Sequence, residues 1–186
     1  MRILRELSRV GVPLVAITTW LSPEREAHAY ERQWHVGIDG GYAVVFEDGM
    51  SGFGGGAHAA YGLSDSFNAM LELDVTRHPG GSVALDAGEG ARVFALDTIA
   101  SGAAGVAYTI DVARAVPYVG ILAAGYRSVP LFPLAPGGQF ALGLDYQLER
   151  NWAIGAQLRM HTIFTADLGT VAYATTFVRL EYLWGF

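Results

Sequence analysis

A chain of 186 residues fits one domain and is long enough for a single core or a single closed barrel. Hydrophobic residues make up 52% and charged residues only 16%, against roughly a quarter charged in water-soluble domains, so there is little charge to cover a water-exposed surface. All 12 cations are Arg within a net charge of -6, which argues against nucleic acid as a partner, and the absence of Cys excludes disulfides and thiolate metal sites.

Residues 1–29 carry Arg2, Arg5 and Arg9, then an apolar run from Val10 to Leu21, then Ala27-His28-Ala29. This is the plan of a secretory signal peptide with an A-x-A cleavage site at Ala27 and Ala29, which would leave a domain of residues 30–186. The run is too short to cross a bilayer as a helix, which takes about 20 apolar residues. Pro13 and Glu24-Arg25-Glu26 fit the signal less well and keep a non-cleaved amphipathic helix as the alternative.

Beyond residue 29 helical periodicity is poor, and what recurs is alternation over segments of roughly ten residues separated by turn residues. The pattern predicts strands at Trp34–Phe46, Phe53–Leu63, Phe67–Arg77, Arg92–Ile110, Arg114–Tyr126, Gly138–Leu148, Asn151–Phe164 and Ala172–Phe186. Tight turns are expected at Ser64-Asp65-Ser66, Asp111-Val112-Ala113 and Glu149-Arg150. Longer connections rich in Gly, Pro and Asp are expected at 47–52, 78–91, 127–137 and 165–171. The fold class is therefore all-β: an eight-stranded antiparallel up-and-down barrel, with long and short connections at opposite ends and both termini on the short-turn side.

The sense of the alternation separates a membrane barrel from a soluble one, because both have one apolar and one polar face. In GQFALGLDYQLE the large apolar set is Phe140, Leu142, Leu144, Tyr146 and Leu148, and the other is Ala141, Gly143, Asp145 and Gln147. In NWAIGAQLRMH the corresponding sets are Trp152, Ile154, Ala156, Leu158, Met160 and Ala153, Gly155, Gln157, Arg159, His161. Small residues mixed with a few charges suit the narrow lumen of an eight-stranded barrel, which side chains must fill, and the large sets then face lipid. An Arg at the lipid-facing midplane costs about 2–4 kcal/mol, so Arg159 and Arg179 belong inside. Trp34, Trp152, Tyr182, Trp184 and Phe186 near one end, and Phe46 and Phe164 near the other, have the spacing of two interfacial girdles.

On GVAYTIDVARAVPYVGILAAGYR, LGLDYQLERNWAIGAQLRMH and the closing VRLEYLWGF, the chain resembles the small eight-stranded outer-membrane β-barrel proteins of Gram-negative bacteria, the OmpA/OmpW-like barrel group, from about Gln33 to Phe186. The resemblance implies an integral outer-membrane barrel, exported through the periplasm and in contact with outer-membrane lipid and lipopolysaccharide. Periplasmic chaperones and the outer-membrane insertion machinery would be its partners during assembly. It also implies a C-terminal assembly signal formed by Val178, Leu180, Tyr182, Trp184 and Phe186. The expected extracellular loops are short for the family, and no peptidoglycan-binding module is expected after Phe186.

The ionisable residues expected inside are Asp39, Glu72, Asp74, Asp97, Asp145, Arg159, Arg179 and Glu181, joined by His35, His58 and His161. Acids pairing with the two Arg would hold the lumen shut, since buried charge must be paired. The same set could alternatively line a narrow path for protons or ions. A lipid A deacylase on this architecture uses a His and a Ser two residues apart. Here His161 is followed by Thr162 and Ile163, and His58 by Ala59 and Ala60, so no nucleophile and base are expected. No metal site or cofactor is expected either, and Gly54-Gly55-Gly56 lacks the GK[ST] and helix of a phosphate loop. The stretch VPLFPLAPGG is unusual for a loop, with Val129, Leu131, Phe132 and Leu134 between prolines. It would dock on the outer leaflet or a partner, or pack over the barrel mouth. Three functions remain: a structural or interaction barrel with a filled lumen, a narrow channel for ions or small apolar compounds, and a soluble periplasmic ligand-binding barrel.

Overall fold

The computed structural model describes residues 32–46, 50–79, 82–86, 91–95, 97–110, 114–129, 132–166 and 169–185. The expected signal segment with Ala27 and Ala29, and Phe186 of the expected assembly signal, lie outside these residues. The strands in chain order are β1 (Trp34–Val45), β2 (Ser51–Gly62), β3 (Phe67–Arg77), β4 (Ser82–Asp86), β5 (Ala91–Ala95), β6 (Thr98–Thr109), β7 (Ala115–Val129), β8 (Phe132–Glu149), β9 (Trp152–Thr165) and β10 (Gly169–Trp184). Eight of them close a barrel in the order β1-β10-β9-β8-β7-β6-β3-β2, with every neighbouring pair antiparallel. Closure occurs between the first and last strands, where Trp34 is in register with Trp184 on one side and with Tyr61 on the other. A closed wall leaves no row of unpaired backbone groups, the condition for a sheet surrounded by hydrocarbon.

The side chains distribute as the alternation requires. Ile38, Leu71, Leu73, Val106, Ile121, Leu142, Leu144, Val178 and Leu180 stand exposed on the outer wall, while Asp39, Glu72, Asp74, Gln157, Arg159, Arg179 and Glu181 are buried inside. Burial is thus inverted relative to a water-soluble barrel of this size. The barrel has a proximal end, at Trp34 and Trp184, and a distal end opposite.

Two expectations from the sequence are corrected. The strand expected over Arg92–Ile110 is interrupted: β5 pairs with β4 in a separate two-stranded hairpin, and only β6 joins the wall. The wall ends at Thr98, which pairs with Arg77 of β3 and Val129 of β7, so the chain before it has no wall partner and pairs with itself. The connection expected over 127–137 is mostly strand, since β7 runs to Val129 and β8 begins at Phe132. Pairing of β8 with β9 begins only at Gly137, so residues 132–136 form an open edge. Pro133 and Pro136 lie in that stretch, open on the β9 side and irregularly paired with β7 on the other, where Pro is tolerated and hinders pairing with another chain. The other six barrel strands fall within three residues of their expected bounds.

Candidate functional site

The lumen is built in layers along the barrel axis. At its centre lies Arg159 of β9, fully buried. Its guanidinium donates from Nη1 to Asp74 Oδ1 of β3 at 2.5 Å and from Nη2 to Asp39 Oδ2 of β1 at 2.7 Å, and Glu72 Oε2 of β3 lies 3.3 Å from Nε. Nε also donates to Gln157 Oε1 at 2.7 Å. Glu72 is completed by two amides, accepting from Gln157 Nε2 at 3.0 Å and from Gln139 Nε2. Ser101 Oγ donates to Asp74 Oδ2 at 3.4 Å, and the guanidinium lies 5.0 Å from the Phe177 ring centroid. Each charge of this cluster therefore has an opposite charge or a polar partner, which limits the desolvation cost of several kcal/mol per buried ion.

A second pair lies nearer the proximal end. Arg179 of β10 is hydrogen-bonded to Glu181 through Nη2 and to the Tyr118 hydroxyl of β7 through Nη1, and its Cζ sits 5.2 Å from the Tyr118 ring centroid. His58 of β2 bridges the two layers, with Nδ1 3.2 Å from Asp39 Oδ2 and Nε2 2.9 Å from Glu181 Oε1. His35 Nδ1 lies 3.4 Å from Glu181 Oε2. Neighbouring glycines make these layers possible. A Cβ at Gly56 would collide with Asp74 Oδ1, and one at Gly143 would enter the Tyr118 ring.

Above the charged layers, His161 stacks on Tyr173 at 4.1 Å, and its Nδ1 is 3.2 Å from the Tyr126 hydroxyl and its Nε2 3.1 Å from Thr175 Oγ1. The distal mouth is closed by an apolar cluster of Val45, Ile99, Tyr126, Phe132, Ile163, Val171 and Tyr173. Phe132, from the stretch read as a loop, is thus part of the cork, whereas Leu134 two residues later faces outward at 73% exposure. At the proximal end Val116, Ala153 and Leu183 pack together beside a cavity of about 20 Å³, room for one or two waters.

Of the eight charged residues expected inside, the structure brings Asp39, Glu72, Asp74 and Arg159 into one cluster and Arg179 and Glu181 into a second, while Asp145 lines the proximal cavity. Asp97 is different: it precedes β6 at the distal rim, half-exposed, with Oδ1 3.5 Å from Arg77 Nε on the outside. Its expected inward position depended on the unbroken 92–110 strand, and the interruption at the rim removes it. Among the expected assembly-signal residues, Val178, Leu180, Tyr182 and Trp184 face outward, with Trp152, Tyr182 and Trp184 in ring contact. Gln157 was expected on the inward face, but neither it nor Gln139 and Tyr118 was expected to satisfy the charges. Their inward alternation was the available signal, but only ionisable side chains were gathered from it. Among the described residues no group of three or more His, Asp or Glu is arranged to hold a metal ion.

Comparison with known proteins finds the fold. No protein-family model matches the chain, and no curated protein does. Solved structures do. Neisserial surface protein A (NspA) matches over 82% of this chain and 97% of its own at 17% identity, with a TM-score of 0.65. The N-terminal β-barrel domain of Pseudomonas aeruginosa OprF matches over 83% and 98% at 12% identity, with a TM-score of 0.57. Ail, the attachment invasion locus protein of Yersinia pestis, matches over 83% and 99% at 17% identity, with a TM-score of 0.53. The chain has the fold of small eight-stranded outer-membrane β-barrels.

Proposed function

We propose that this chain is an integral outer-membrane barrel of structural or interaction type, whose polar lumen is filled by its own side chains. The observation that carries the reading is the inverted wall. Ile121 at 69% and Ile38 at 65% exposure stand on the outside while Arg159 is fully buried, an arrangement that costs free energy in water and releases it in hydrocarbon. The same wall argues against a soluble periplasmic barrel, and the proximal cavity, at about 20 Å³, is far smaller than the several hundred Å³ of a ligand site. The narrow-channel reading is disfavoured by the Arg159 cluster across the middle and the Phe132 cork above it. With no His-x-Ser pair on the wall, the proposal includes no catalysis.

In this reading the distal end is extracellular and the proximal end periplasmic. Residues 1–29 direct export with cleavage after Ala29, periplasmic chaperones and the insertion machinery read the outward aromatic face of β10 together with Phe186, and the finished wall contacts lipid and lipopolysaccharide. The open β8 edge with Leu134 is the part of the wall that stands clear of β9 and would meet an external partner. The experiment is fractionation of a Gram-negative host. The protein should stay in the membrane pellet through alkaline extraction, dissolve only in detergent, and begin at Tyr30. Release by alkali or high salt without detergent refutes the membrane assignment.

A further inference from the structure

The proximal cavity differs from the rest of the lumen. Around it lie Asn68 Oδ1, Thr109 Oγ1, Asp145 Oδ1 and Arg179 Nε, buried polar atoms with no hydrogen-bond partner among the described residues. Asn68 is 5% exposed, Thr109 4% and Arg179 2%. An unsatisfied buried donor or acceptor costs about 1–3 kcal/mol, so four of them around one small space point to a polar occupant that satisfies them. Three of the four are oxygens, which favours an occupant that presents positive charge to its surroundings.

The charges agree. Arg179 is already engaged by Glu181 and the Tyr118 hydroxyl, and among the described residues no ion pair reaches Asp145, so its carboxylate is uncompensated there. The other titratable groups facing the cavity are His35 and Glu181, and His35 lies against Glu181 at 3.4 Å rather than against Asp145. The space for Asp145 is built in: its register partner on β9 is Gly155, where any Cβ would collide with Asp145 Oδ1. A divalent ion calls for more oxygen ligands and more carboxylate charge than one free Asp supplies.

We infer that the proximal cavity is a binding site for a small monovalent cation, Na⁺ or K⁺, held by the side-chain oxygens of Asp145, Asn68 and Thr109 with water completing its shell. The site depends on the barrel interior and not on the membrane assignment, so either can fail without the other. A cation there neutralises Asp145 and ties β3, β6 and β8 together at their proximal ends.

The test uses the full chain folded in detergent micelles, with thermal unfolding followed by circular dichroism in NaCl, KCl and choline chloride at equal ionic strength. Choline is too large for the cavity and controls for screening. The wild-type midpoint should be higher in NaCl or KCl than in choline chloride, saturating with concentration, and sodium NMR should show protein-dependent relaxation. Asp145→Asn should lose both effects, and Thr109→Val, which keeps the carboxylate and the volume, should weaken them. If Asp145→Asn does not fold, Thr109→Val and the sodium relaxation of the wild type decide alone. Equal midpoints in the three salts without sodium relaxation overturn the inference, as does a salt effect that survives both substitutions. A midpoint that follows pH but not the cation assigns a proton to Asp145 and overturns it too.

Discussion

Arg159→Met tests the central cluster. The substitution keeps most of the side-chain volume over Phe177 but removes the cation that Asp74, Asp39 and Glu72 share at 2.5, 2.7 and 3.3 Å. Breaking one buried ion pair by deleting a partner costs about 3–5 kcal/mol, mostly because the remaining charge is buried and alone. Three carboxylates lose their shared cation here, and each close pair is worth about 4 kcal/mol at an effective dielectric constant of 20 and 4 Å separation, so the loss should reach at least the upper part of that range. That is a factor of about a thousand in the unfolding equilibrium, at roughly 1.4 kcal/mol per decade. The assay is reversible denaturant unfolding of the barrel in detergent or lipid vesicles, followed by tryptophan fluorescence. Adding Asp39→Asn, Glu72→Gln and Asp74→Asn to Arg159→Met should restore most of the stability, because a neutral network leaves no charge unpaired. A loss below about 1 kcal/mol for Arg159→Met, or no recovery in the combined variant, refutes the reasoning.

Gly143→Ala places a methyl group in the Tyr118 ring and should cost about 1–3 kcal/mol by overpacking, read in the same unfolding assay, with Gly138→Ala, which meets only Leu122 O at 3.9 Å, as the tolerated control. On the outer wall Leu142→Arg should cost about 2–4 kcal/mol in lipid vesicles, whereas Arg127→Leu at the distal margin should change stability by less than about 1 kcal/mol, and equal effects would contradict the lipid-facing assignment. Deleting Phe186 should abolish accumulation in the outer membrane while export and cleavage continue, as measured by immunoblotting of membrane and periplasmic fractions. Normal membrane levels of the truncated protein would refute the assembly-signal reading.

Alternation is a local property, so the wall strands and the inward position of Arg159 and Arg179 were legible from period and from the cost of charge in hydrocarbon. Pairing is not local. In register Arg159 faces only Ala141 and Thr175, and it reaches Asp39 and Asp74 across the lumen from strands far away in the chain. Nothing in a linear pattern gives that distance. Asp97 was misplaced because alternation does not mark where a strand leaves the wall, and the β4–β5 hairpin pairs through the same backbone groups a wall strand would use. LFPLAP was read as a loop because Pro interrupts most strands, and the structure places its prolines where β8 pairs irregularly with β7 on one side and is open on the β9 side, a setting that tolerates them.

The central claim, a barrel closed by its own side chains, is tested most directly by single-channel recording of the purified protein in planar lipid bilayers. Arg159 with its three carboxylates across the middle and the Phe132 cluster above it should leave no steady conductance over that of the bare lipid. A steady, large conductance from the wild-type protein would contradict the claim.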